Sequence, residues 1–152
     1  MSAAYSEPEH RGYYIEELKV GMTAYFSRAI TDDDVVSFSQ LSGDTNPVHL
    51  DEGYAATTPF QGRIVHGFLS ASLISAAIAL QLPGPGSIYL SQNLSFKAPV
   101  RIGDMVEARV TVQELIPERG RVVLATVCSV GNQVVIEGEA LVRAPSRPVA
   151  VA

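Results

Sequence analysis

The chain has 152 residues, 47% hydrophobic and 18% charged, with a net charge of −5. That length fits one domain with ample apolar material for a core. The acidic balance shows no basic stripe and argues against a nucleic-acid partner. So few charges on a small domain imply that a second subunit covers part of the surface. One cysteine, Cys128, leaves no internal disulfide framework and no cysteine-based zinc site. It falls in the strand-like run 125–130, where a buried structural thiol is expected.

Residues 1–14 read as a flexible polar arm, 15–144 as a single domain and 145–152 as a flexible tail. The arm lacks the apolar core of a signal peptide. The longest apolar run, Phe68 to Leu80, is broken by Ser70, Ser72 and Ser75 and is too short to span a bilayer. A soluble, cytoplasmic protein with no membrane partner is expected.

In chain order, 23–30 reads as a first strand. Thr31 then caps a helix, with Asp34 at the third position and Val35, Phe38 and Leu41 on the apolar face. The run Ser42 to His49 is expected to hold no regular helix or strand, because Gly43 loosens the backbone and Pro47 forbids helix through Asn46. A short helix follows over 51–57, then a loop over 58–65 with Pro59 and Gly62. A longer helix over 67–80, apolar or small on all faces, is expected to be buried all round. Pro83-Gly84-Pro85-Gly86 ends it. Strand-like runs cover 87–99, 104–115, 121–130 and 133–143, the last two joined by a tight turn at Gly131-Asn132. An antiparallel sheet wrapped around one long helix accommodates this order, with the fold class α+β.

Asp44 and His49 stand five residues apart in the constrained segment. A carboxylate and an imidazole held together can position and activate water. The alternative is a turn whose Asp caps a helix and whose His packs. Gly67 opens the long helix, whose first amides lack internal partners and whose dipole favours negative charge. It is either an oxyanion site or a glycine at a crowded helix start. His66 beside it is either a further catalytic group or, the preferred reading, a residue that fixes the loop through a side-chain hydrogen bond. Ser75 on the long helix either bonds a carbonyl one turn back or reaches a pocket. No phosphate-binding glycine loop and no metal-ligand cluster of usual spacing occurs, so no metal and no cofactor are expected.

The block Leu41-Ser42-Gly43-Asp44-Thr45-Asn46-Pro47-Val48-His49-Leu50 resembles the hydratase motif of the MaoC-like, R-specific enoyl-CoA hydratases. The resemblance continues through 54–60, Gly62 to Gly67, Leu82 to Leu90 and Leu94 to Val100. It covers about residues 18–143, and is similar to the short single-domain hydratases that feed polyhydroxyalkanoate synthesis. It implies the hot-dog fold, a homodimer, and reversible syn hydration of trans-2-enoyl-CoA to (R)-3-hydroxyacyl-CoA. It also implies that Asp44 and His49 form the catalytic dyad, that the Gly67 amide meets the thioester carbonyl, and that Ser75 belongs to the site. With acyl-CoA as substrate, Arg63, Lys97 and Arg101 are candidates for its phosphates. Ile78 and Val142 are either acyl-pocket walls or core. An acyl-CoA thioesterase on the same fold, a dehydratase of carrier-protein thioesters and a non-catalytic acyl-CoA-binding module are the alternatives.

Overall fold

Period-two burial builds the sheet. In β3 (Met105–Ile116), Val106, Ala108, Val110 and Val112 are buried while Met105, Glu107 and Arg109 face outward. β4 (Arg121–Val130) buries Val122, Leu124, Thr126 and Cys128 in the same rhythm. With β1 (Thr23–Ala29), β2 (Ile88–Phe96) and β5 (Gln133–Arg143), these form one antiparallel sheet ordered β1-β3-β4-β5-β2. Val130 pairs with Gln133 across the two-residue turn, as expected for that hairpin. The computed structural model describes residues 11–149; the arm over 1–10 and the tail over 150–152 lie outside the described residues.

The long helix α4 (Gly67–Leu80) crosses the sheet and packs chiefly on β3 and β1. Leu73, Ile74, Ala77 and Ile78 enter the core. Each large aliphatic side chain buried there contributes about 1.5–3 kcal/mol. The expectation that α4 is buried all round is corrected. Phe68 is 68% exposed, and Ser72, Ser75 and Ala79 continue the same exposed stripe at helical spacing. α4 carries no charged residue and its serines fall on both sides, Ser70 buried and Ser72 and Ser75 exposed, so composition does not show which side the sheet leaves open. Edge strand β2 is equally bare: Ile88, Tyr89, Leu90 and Phe96 are all exposed.

α1 (Asp32–Ser42) starts as its sequence prescribes. The Asp34 amide donates to Thr31 Oγ1 at 3.1 Å, and the Thr31 amide donates to Asp34 Oδ2 at 2.9 Å. Two one-turn helices follow, α2 (Pro47–Leu50) and α3 (Glu52–Ala55). Short 3₁₀ turns occupy Ile15–Glu17 and Pro117–Arg119. The inner ends of the expected arm and tail are tied down. The Tyr13 amide donates to the Pro83 carbonyl at 2.7 Å, and the Ile15 amide donates to the Pro145 carbonyl at 2.8 Å. Cys128 is fully buried on β4, which pushes its thiol up to about 12.

Candidate active site

The loop between α1 and α2 is built from local caps. Gly43 stands at φ 81°, a left-handed conformation that suits glycine, and its amide donates to the Ser39 carbonyl at 2.9 Å. The Asn46 amide donates to Asp44 Oδ1 and the Val48 amide to Asn46 Oδ1, both at 3.2 Å. Pro47 takes the first helical position of α2, where its missing N–H costs nothing. The expectation of no regular helix over 42–49 is therefore corrected. Ser42 closes α1, and His49 rides on the single turn of α2. Proline blocks helix on its N-terminal side but starts one well.

His49 is 8% exposed, and its Nδ1 lies 2.8 Å from the Ile64 carbonyl oxygen. A carbonyl only accepts, so Nδ1 carries the proton and donates. In the neutral ring Nε2 then keeps its lone pair. A carboxylate oxygen of Asp44 and a ring nitrogen from each of His49 and His66 lie within 4.8 Å of one another. The His49 and His66 rings are stacked, centroids 3.9 Å apart at 30°.

Arg63 braces this arrangement from behind. Its Nε donates to the His49 carbonyl at 2.7 Å, and its Nη2 donates to Asp32 Oδ1 at 2.6 Å. Arg101 holds the neighbouring loop, donating to the Phe60 carbonyl at 2.6 Å and the Gly62 carbonyl at 3.3 Å. Both guanidiniums are thus engaged with the protein. Lys97 is half exposed and pairs with Glu137 at 3.3 Å.

Gly67 begins α4 directly after His66. Among the described residues no acceptor serves the amides of Gly67 or Phe68, as befits the first turn of a helix. A Cβ at Gly67 would press on the ring edge of Phe96, so glycine lets that aromatic lie against the helix start. Beside it opens a cleft of about 410 Å³ lined by Phe60, Ile64, Gly67, Ser70, Phe96 and Pro99, among others. Lys97 lines it too. Ile64 joins the two halves of the site: its carbonyl holds His49, and the residue lines the cleft. Ser70 is buried, and its Oγ has no hydrogen-bond partner.

The structure thus gathers Asp44, His49 and Gly67 around one corner, with Arg63 behind it. Ser75 stands on the exposed stripe of α4, and Ile78 and Val142 are buried in the core; none of the three lines the cleft. Ser70, Phe60 and Phe96 escaped the sequence reading. For Ser70 a signal existed: it lies three residues beyond Gly67, one helical turn on and on the same face. Phe60 comes from the loop after α3 and Phe96 from the end of β2, far apart in the chain, and nothing local marks them as neighbours.

Known proteins share this arrangement of chain. The MaoC like domain family matches residues 17–133. A 3-hydroxybutyryl-CoA dehydratase of Methylorubrum extorquens is 55% identical, over 92% of this chain and 89% of its own. An (R)-specific enoyl-CoA hydratase of Rhodospirillum rubrum is 53% identical, over 89% of this chain and 94% of its own. The solved structure of the Aeromonas caviae (R)-hydratase involved in PHA biosynthesis superposes with a TM-score of 0.83 at 46% identity, over 86% of this chain and 99% of that one. The five-stranded antiparallel sheet around α4 is the hot-dog fold, and the chain belongs to the MaoC-like domain family.

Proposed function

We propose that this protein is an enzyme that hydrates trans-2-enoyl-CoA reversibly to (R)-3-hydroxyacyl-CoA. The observation that carries the reading is the convergence of a carboxylate oxygen of Asp44 with a ring nitrogen of His49, within 4.8 Å, beside the helix start at Gly67. The names and identities of the relatives support it.

The β-carbon of an enoyl thioester is electrophilic, and attack by water leaves negative charge on the thioester oxygen. The acceptor-free amides at the start of α4 receive that charge, an effect of about 3 kcal/mol per donor. Asp44 and the Nε2 lone pair of His49 hold the water and take its proton. The same pair returns a proton to the α-carbon from the same face, which makes the addition syn. The cleft along Gly67, Phe60 and Phe96 takes the apolar part of the substrate. Lys97, which lines the cleft and shares its charge with exposed Glu137, is the candidate for a phosphate of CoA, whereas Arg63 and Arg101 are committed to the loops. The chemistry asks for no cofactor and no metal.

The reading extends to a cytoplasmic homodimer that supplies (R)-3-hydroxyacyl monomers to polymer synthesis. Exposed apolar side chains on β2 and on the α4 stripe support a second copy there.

Crotonyl-CoA tests the reaction. Enoyl absorbance should fall with no release of free thiol, and the product should be the (R) enantiomer. Release of CoA thiol, or an (S) product, would overturn the proposal.

A further inference from the structure

We infer that His66 is the positioning residue that keeps Asp44 and His49 in register, a clamp on one and a platform for the other. The inference rests on the hydratase reading above and names a member of the site that does not touch the reacting atoms.

His66 is 2% exposed. Its Nε2 lies 3.0 Å from Ser39 Oγ and 3.1 Å from the Asp44 carbonyl oxygen. The carbonyl accepts only, so Nε2 carries the proton and Nδ1 the lone pair. Nδ1 is buried and has no partner. One face of the ring stacks on His49 at 3.9 Å, and Phe38 tilts against the ring at 4.8 Å and 58°. His66 therefore joins three elements: α1 through Phe38 and Ser39, the loop through Asp44, and α2 through His49. A buried imidazole with one unpartnered nitrogen is a costly choice for packing alone, because the lone pair forgoes water. The donor to Asp44 and the flat surface under His49 are what the ring supplies in return.

The surroundings favour a neutral ring. The titratable groups that face it are Asp44 and His49; α1 presents only Phe38 and Ser39. Burial, foremost, and the neighbouring His49 lower its proton affinity, while the Asp44 carbonyl partly opposes them. Protonation would put a cation at Nδ1, where no acceptor waits. A neutral His66 also leaves His49 free of a charged neighbour at stacking distance.

Two variants separate the contributions. His66→Phe keeps a ring for stacking and loses the donor to Asp44. His66→Gln keeps a donor and loses the ring. With crotonyl-CoA, His66→Phe should lower kcat by about 100-fold, the scale of a misplaced reacting group, while KM stays nearly constant. Placed on Asp44→Ala, the same substitution should cause no further loss, because it acts through Asp44. Full kcat in His66→Phe, or a double variant whose loss multiplies the two single ones, would overturn the inference. A ¹⁵N spectrum of the wild-type imidazoles tests the clamp without catalysis or substitution. A His66 ring protonated at Nε2, with its lone pair at Nδ1, is expected; the opposite tautomer refutes it. If the wild-type enzyme fails to hydrate crotonyl-CoA, the reaction assignment falls instead, and the spectrum still decides whether the clamp exists.

Discussion

The corner where Asp44 meets the start of α4 and the face where α4 meets the sheet are stabilised in opposite ways. The corner is held by many directed bonds: Gly43 to Ser39, His49 to Ile64, His66 to Asp44, Arg63 to His49. The α4–sheet face is aliphatic, with Ile74, Ala77, Val110 and Leu124 almost wholly buried. Apolar packing is nondirectional and strong in sum, whereas hydrogen bonds are modest in net energy and demanding in geometry. The fold therefore draws its stability from one region and its aim from the other, so the two should fail separately when altered.

The largest effect should come from the corner. His49→Ala and Asp44→Asn should each lower kcat/KM by about 10³-fold, the scale of a lost acid or base. Thermal melts should place both close to wild type; a large drop in Tm would erase the distinction between the regions. Ile74→Ala is the counterpart in the core. It should cost about 2–5 kcal/mol in urea titrations, yet leave kcat per folded molecule unchanged. A loss of kcat there would show that the core transmits geometry to the dyad.

Smaller changes sharpen the contrast. Thr31→Ala removes the side-chain cap of α1, whose far end carries the Asp44 loop. A loss of about 1 kcal/mol is expected in the same titrations, with little change in kcat, since the caps of the loop are its own. The smallest effect belongs to a third place, the exposed seam between the inner arm and tail. Arg11 bonds the Glu17 carboxylate, and with the Tyr14 amide it lowers that group from 4.5 to about 2. A lowered carboxylate stabilises the fold above its unfolded value, and that contribution fades as pH falls from about 4.5 toward 2. Glu17→Gln should therefore melt slightly below wild type at neutral pH, the gap closing as pH falls through that window. A gap that widens on acidification would contradict the assignment.

Local signals in the sequence were strong wherever the physics is local. The Thr31–Asp34 box, the two-residue turn after Val130 and the alternation of β3 are each decided by neighbours a few residues apart. The spacing of Asp44 and His49 was legible for the same reason, although the turn of α2 beneath His49 was not. Asn46 and Pro47 start that helix as cap and first residue, and the same pair also reads as a stop.

Sequence by itself thus determined the order of the strands and of the two longer helices, the sheet's inward face and the family, and singled out Asp44 and His49 as a pair. Tertiary structure alone decided which side of α4 stays open, that Arg63 is a brace, and that Ser70 rather than Ser75 meets the cleft. It alone set His66 between Ser39, Asp44 and His49. The physical reason is range. Propensity, capping and periodicity act within a turn or two of chain, whereas a stacked ring, a shared carbonyl and a cleft wall join residues that meet only once the sheet has closed on its helix.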